Sequence, residues 1–306
     1  MNTILLTCSG GPAAVGVIKS IRGIPYKCRI VSIDLDPLAV GGLLSDVSYT
    51  VPNSESDEYW DVVFDIIKKE KVTLILPTGD SDIKHFSKHK SELESMGISV
   101  FMSDYDTILN CQNKMRFYEF CVSKFSDVLP KTSLNGYDLN LPVIAKPKVG
   151  SGSRGIHLCK SNRDLESITG DYIFQSYLPG KEYTVDLLSD LDCNVLSCVV
   201  RERLQVKAGI SVKGKIIRNE IIEKMCKDLA LHLNLKGPVC IQLKEDENGN
   251  PKFIEVNPRL GGGTYFSRLA GVNFVEIILQ IVNGNDVHIN SPKEITVVRY
   301  FNEIVV

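Results

Sequence analysis

Apolar residues recur along the first hundred positions in two alternating rhythms. Short continuous runs, "TILLTC", "CRIVSID", "VTLILPT" and "ISVFMS", read as strands. Between them "PAAVGVIKSIR", "SDEYWDVVFDIIKKEK" and "SDIKHFSKHKSELESMG" carry apolar positions at helical spacing. Such a βαβ series predicts a parallel sheet with helices on both faces. Ligands on these sheets bind beyond the C-terminal strand ends. Here those ends are Ser9-Gly10-Gly11, Asp34 and "TGDSD" from Thr78 to Asp82.

After Ser103 the rhythm changes. "DTILNCQNKMRFYEFCVSKF" predicts a helix pair, and "LPVIAKPKVGSGSRGIHLCKS" predicts two β-rich runs around a glycine loop. From Tyr172 the runs "YIFQSYL", "EYTVDLLSD", "NVLSCVVRERLQVKAG", "VCIQLKED" and "PKFIEVN" read as antiparallel strands, interrupted by the helix "IIEKMCKDLALHLNL". A helix around "NFVEIILQIVNG" precedes a closing strand, "ITVVRYFNEIVV". The expected class is α/β and α+β: a Rossmann-like domain over residues 1–102, then a second domain over 103–306.

Asn248-Gly249 is a strong hairpin signal, because a two-residue type I′ turn needs positive φ at both central positions. Counting back from that turn pairs Gln242 with Glu255, with Cβ atoms about 5 Å apart on one face. Register thus gathers Gln242, Glu255 and Asn257 into an oxygen-rich cluster. Such a set suits Mg²⁺ when substrate phosphates supply the remaining ligands. Arg259 offers a planar fork for phosphate or carboxylate, and Gly261, Gly262 and Gly263 let backbone N–H groups approach an anion. A surface hairpin with outward polar residues is the plainer alternative.

"GSGSRG", Gly150 to Gly155, matches the dinucleotide pattern G-x-G-x-x-G, but a strand-like run follows it where that fingerprint requires a helix. A glycine loop joining two strands is better read as a flap over phosphates. Lys146 on "VIAKP" would set an ammonium beside them; its other reading is an edge-strand lysine with a solvated tip.

Composition narrows the classes further. The 306 residues are 43% hydrophobic and 24% charged, with a formal net charge of -2. That balance gives no global basic field for nucleic acid or an anionic membrane. The basic run "KHFSKHK" reads as a solvated helix face. Within it His85 and His89, four apart, could share a helix face as metal ligands, with no third ligand in view. Nine cysteines without a C-x-x-C pair fit reduced thiols better than a disulfide scaffold. The N-terminal stretch shows no charged n-region or cleavage signal, and no apolar run approaches the roughly 20 residues of a membrane helix. A cytoplasmic protein is expected.

These residues together carry a family resemblance. In one order across roughly residues 100–275, the chain resembles ATP-grasp proteins, most of all the ATP-binding modules of carbamoyl-phosphate synthase large subunits and related small ligases. "NKMRFYEF" resembles the helix whose first basic residue, here Lys114, binds nucleotide phosphate. "VIAKPKVGSGSRGI" resembles the lysine strand and lid, which implies Lys146, Gly150, Ser151, Gly152, Ser153 and Gly155 as ATP contacts. "IFQSYLPGKEYTVD" resembles the adenine hinge, with Gln175, Tyr177 and Leu178 at the base and Glu182 on the ribose; an acidic residue is common where Gln175 stands. "CIQLKED" and "FIEVNPR" resemble the metal-binding strand pair. The implied fold is a Rossmann-like domain followed by a two-subdomain ATP-grasp fold, a lid over about 113–176 and a metal- and substrate-binding part over about 177–306.

The resemblance implies ATP-dependent activation of a small carboxylate to an acyl phosphate, which an amine or similar nucleophile then displaces. The implied cofactors are ATP and two Mg²⁺ ions, with Mn²⁺ an acceptable substitute. Lys146, Arg259 and Arg201 are the expected catalytic cations, and Arg203, on the same strand face as Arg201 by period 2, joins the ATP contacts. The carboxylate pocket is expected along "RLGGGTYFSRLAG", with Ser9, Gly10 and Gly11 closing over it. Small-molecule substrates are the expected partners, and a homo-oligomer covering the closing strand is compatible. Two other classes compete. One is a nicotinamide-dependent oxidoreductase using Gly10-Gly11, Gly16 and Asp34, though "SGGPAAVG" is an imperfect fingerprint. The other is a non-catalytic nucleotide-binding subunit, against which Glu255, Asn257, Lys146 and Arg259 all stand retained.

Overall fold

The computed structural model describes residues 1–306. The chain begins with β1 (Asn2–Leu6), α1 (Pro12–Arg22), β2 (Cys28–Asp34), α2 (Val40–Leu44), β3 (Val47–Thr50), α3 (Tyr59–Lys69), β4 (Leu74–Leu76), α4 (Ile83–Lys88), α5 (Lys90–Ser95) and β5 (Ser99–Val100). All five strands are parallel, in the order β3-β2-β1-β4-β5. The apolar runs of β1, β2 and β4 are buried on both faces, as a helix-covered parallel sheet requires.

Helices α6 (Tyr105–Gln112) and α7 (Lys114–Phe125) lead to a small sheet of β6 (Thr132–Ser133), β7 (Val143–Pro147), β8 (His157–Cys159) and, after α8 (Asn162–Glu166), β9 (Tyr172–Ser176). Asn113 caps α7 by accepting from the N–H groups of Met115 and Arg116. The third sheet and the helices between its strands follow as β10 (Glu182–Ser189), β11 (Val195–Lys207), β12 (Ile210–Ile217), α9 (Glu220–His232), β13 (Gly237–Glu245), β14 (Pro251–Asn257), α10 (Thr264–Leu269), α11 (Phe274–Val282) and β15 (Thr296–Val298). Its six strands run β14-β13-β10-β11-β12-β15.

Apolar packing ties the first and last parts of the chain together. Ile4, Leu6, Val17 and Ile18 share one core with Phe266, Phe274 and Ile278. Each such side chain contributes about 1.5–3 kcal/mol on burial. Helices α10 and α11 therefore complete the core on one face of the first sheet, and the loop before α10 is pressed against the loop after β1.

Two sequence expectations need correction, and two strands had no sequence reading. The run "SDVSYTV" forms the edge strand β3, which its short polar alternation concealed. The single helix expected over Ser81–Gly97 is broken into α4 and α5 at His89, whose ring stacks on Trp60 at 4.1 Å between centroids. The strand run ending in "VKAG" is followed by an unread return strand, β12, through a tight turn with Ala208 and Gly209 both at positive φ. The closing strand is only Thr296–Val298, paired with β12, while residues 299–306 form no regular element.

Candidate active site

The three sheets enclose a cleft of about 990 Å³. On its six-stranded wall Gln242 does pair with Glu255, and Cys240 with Asn257. The route to that register differs from the expected one. The hairpin loop has three residues, Glu247 to Gly249, because the Asp246 carboxylate accepts the N–H groups of Asn248 and Asn250. Only Gly249 takes positive φ, at 81°. The turn is thus one residue longer than expected. A bulge between Phe253 and Glu255 then restores the count. Phe253 and Val256 face the core, and both intervening residues, Ile254 and Glu255, face the cleft.

Glu255 meets the Lys114 ammonium at 4.0 Å. Lys114 is itself buried at the start of α7 and donates to the Gly150 carbonyl at 2.9 Å, tying the glycine loop to the cleft. Lys146, on β7, donates to Gln175 Oε1 at 2.8 Å, and Gln175 donates in turn to Thr132. Burial pulls the Lys146 ammonium down to about 8, against the opposing field of Glu255. Gln175 gives that lysine a neutral acceptor, so its counter-charges are the more distant Glu255 and Glu182.

The flap is built for tight approach. Gly152 and Ser153 hold φ of 68° and 58°, and Gly152 lies against Gly209 of the β11–β12 turn, where a Cβ would come within 3.1 Å. Ser151 and Ser153 line the cleft beside them. Gly155 does not: its φ of 69° serves the turn, and it packs on Pro147 and Tyr172 outside the lining. Ser9 also departs from expectation. It is fully buried beneath the β1–α1 loop, and only Gly10 and Gly11 reach the cleft.

Arg203 holds Glu182, Ser211 and the Gly209 carbonyl, and reaches Gln242 Oε1 at 3.3 Å. The ribose candidate Glu182 is therefore engaged by a cation at the cleft wall. Tyr177 and Leu178 follow β9 at the same end, with the Lys244 ammonium over the Tyr177 ring at 5.6 Å. Ile144 and Ile254 add apolar surface there.

At the other end Arg201 is buried, donating to Ser211 and lying 3.5 Å from Asp186. Gly263 rests on its guanidinium, where any Cβ would clash at 2.2 Å. Gly261 and Gly262 border the same space, and a Cβ on Gly262 would meet the Pro12 ring at 3.1 Å. Arg259 grips Asp80 through both carboxylate oxygens. Burial pulls its guanidinium down, yet the Asp80 charge outweighs this and the net shift is upward.

Asp80, Asp186, Lys244 and Ile254 were not singled out by the sequence. Asp80 stood in the strand-end stretch "TGDSD" without a partner to give it meaning. Nothing in the spacing marked the other three. Two weighed alternatives lose their basis. Asp34 accepts the N–H groups of Gly10 and Asp36, closing its own loop instead of presenting itself to a ribose. His85 and His89 do not form a metal pair: His89 bonds Glu92, His85 packs on Tyr59, and no cluster of three metal-ligating side chains occurs in the structure.

The donor set fits Mg²⁺: one carboxylate and two side-chain amides on adjacent strands, open to the cleft and faced by ammonium groups suited to a polyphosphate.

Residues 169–304 match the family model described as ATP-grasp in the biosynthetic pathway with Ter operon, and residues 4–101 match the PylC-like N-terminal domain. The chain is 26% identical over 304 residues to the carbamoyl phosphate synthase large chain of Clostridium botulinum (strain Kyoto / Type A2), covering 89% of this chain and 27% of that protein. It thus spans about a quarter of that relative. The D-aspartate ligase of Enterococcus faecium (strain Aus0004) is 24% identical over 250 residues, covering 69% of this chain and 59% of the ligase. Among solved structures, the biotin carboxylase of Campylobacter jejuni superposes with a TM-score of 0.73 at 16% identity, over 93% of this chain and 72% of that one. No helix is long and apolar enough to cross a membrane.

Proposed function

We propose that this chain, whose residues 169–304 match an ATP-grasp family model, is an ATP-dependent ligase joining a small carboxylate to an amine or similar nucleophile. One observation carries the reading: Gln242, Glu255 and Asn257 on the six-stranded wall line the same cleft as Lys114 of α7 and Lys146 of β7. That is the charge pattern a nucleotide triphosphate with divalent cations needs. The biotin carboxylase neighbour is itself an ATP complex.

Lys146 and Lys114 would neutralise phosphate oxygens, and the flap from Gly150 to Ser153 would cover them and exclude water. Ile144, Tyr177, Leu178 and Ile254 would receive the base, with Glu182 on the ribose. Gln242, Glu255 and Asn257 would hold two Mg²⁺ ions, which screen the repulsion between triphosphate and carboxylate. Arg201, Arg259 and the N–H groups of Gly261 to Gly263 would orient the acid for attack on the γ-phosphorus. The acyl oxygen bonds to phosphorus as the bond to ADP breaks. The amine then forms the C–N bond and phosphate departs.

The test pairs two measurements. Mg²⁺–ATP should raise the melting temperature while NADH should not. ADP release should depend on an acid from a panel supplied with pooled amines. A response to NADH alone, or ADP release indifferent to every acid, would reject the ligase.

A further inference from the structure

The cleft is electrically divided. Its six-stranded wall carries Arg201, Arg203 and Lys244 against Glu182 and Glu255, and Lys114 of α7 and Lys146 of β7 add two cations from the four-stranded side, whereas the strand ends of the parallel sheet carry Asp34, Asp80 and Asp82. Arg259 neutralises Asp80. Asp34 and Asp82 make no ion pair.

Asp82 is 3% exposed and lines the cleft. Its Oδ2 accepts from Tyr59 at 3.2 Å and from the Cys8 thiol at 3.6 Å, while its Oδ1 has no partner of hydrogen-bonding geometry. Burial pushes this carboxyl up to about 6, against the pull of the Thr7 and Tyr59 hydroxyls. The groups packed around it supply no compensating charge. Burial holds the Cys8 thiol up at about 12, so it is neutral. The Tyr59 phenol is likewise raised by burial. His85, against Tyr59, is lowered by burial and uncharged. A buried carboxylate with an idle oxygen and no cation is costly unless something completes it.

We propose that this end of the cleft, Asp82 with Cys8, Asp34 and Ser81 around it, binds the ammonium group of the amine substrate. The proposal rests on the ligase reading and deepens it by naming the acceptor as a cationic primary amine. A bare metal ion is the poorer occupant, because these side chains do not converge as a metal-ligating group. An ammonium needs only one buried carboxylate, hydrogen-bond acceptors and a negative field. The Arg259–Asp80 contact joins the β4–α4 loop that carries Asp82 to the segment after β14, so the nitrogen, once the ammonium has passed a proton to the Asp82 carboxylate, would stand beside the acyl phosphate it attacks.

The experiment uses the full chain with Mg²⁺–ATP and an acid panel. Two nucleophiles are compared: hydroxylamine, uncharged at neutral pH, which traps an acyl phosphate as hydroxamate, and whichever of the twenty amino acids, ethanolamine or putrescine best stimulates ADP release. Asp82→Asn should raise the KM for that ammonium nucleophile at least tenfold relative to the KM for hydroxylamine. Ser81→Lys, a cation on the exposed rim, should do the same and does not disturb the buried carboxylate. If hydroxamate forms and both variants keep the wild-type KM ratio, the ammonium site is wrong while the ligase stands. If the wild-type protein yields no hydroxamate and no acid-dependent ADP release, the ligase reading fails and the site falls with it.

Discussion

Arg259 and Asp80 lie 179 positions apart and meet in a two-point contact, Nε to Oδ1 at 2.6 Å and Nη2 to Oδ2 at 2.5 Å. The fork joins the end of the third sheet to a strand end of the first, with both groups largely sheltered. Removing one partner strands the other, so Asp80→Asn should cost about 1–3 kcal/mol. Urea unfolding of Asp80→Asn, Arg259→Met and the double variant measures the coupling. At least about 1 kcal/mol is expected, and additive single effects would mean the contact carries no weight.

Lys146 makes a pH-dependent prediction. Its folded value of about 8 lies below the ordinary 10.5 of a free lysine. Between those values the unfolded chain holds the extra proton, so stability rises with pH across that window, and the cost is fully present below about 8. Lys146→Met should flatten that rise, and the difference in urea midpoint between variant and wild type reads it. ATP affinity of the free protein should weaken above pH about 8 as the ammonium discharges. Turnover should fall by about 10²–10³ in the variant.

Glu255 is the one carboxylate of the metal set and the neighbour of Lys114. Glu255→Ala should abolish acid-dependent ADP release while the far-UV circular dichroism stays native, since the side chain faces the cleft. The ATP-induced rise in melting temperature should lose its Mg²⁺ dependence. Gln242→Ala should act in the same direction but more weakly, because a neutral amide adds less to cation binding. Wild-type turnover in Glu255→Ala would remove the metal assignment.

The layers were legible because burial writes itself into periodicity. The parallel strands carry continuous apolar runs, and the Gln242–Glu255 pair emerged from turn chemistry. That success concealed two offsets. Asp246 lengthens the loop by one residue, and the bulge at Ile254 takes it back; Ile254 looks like any strand residue, so no local signal announced it. Side-chain partnerships across the cleft were unreadable for a different reason. The Arg259–Asp80 contact and the hold of Arg203 on Glu182 depend on how the sheets meet, which no short window encodes. Ser9 and Gly155 illustrate the same limit: each sits in a motif that reaches the cleft, but their own positions turn away.

Asp186 anchors the loop bordering the expected carboxylate pocket. It is fully buried on β10 and accepts from Ser267 at 2.7 Å, Thr264 at 3.2 Å and Cys240 at 3.2 Å, with Arg201 3.5 Å away. Thr264 also accepts the Gly261 N–H at 2.9 Å, so one carboxylate fixes both the start of α10 and the glycine loop before it. Asp186→Asn presents an amide donor to groups that already donate and leaves the Arg201 guanidinium uncompensated. The expected loss is about 3–5 kcal/mol. Arg201→Met should cost less, because the carboxylate keeps three donors. Chemical denaturation of the two variants gives the ranking. If Asp186→Asn proved the milder change, the hydrogen bonds converging on that carboxylate would not be what holds the loop.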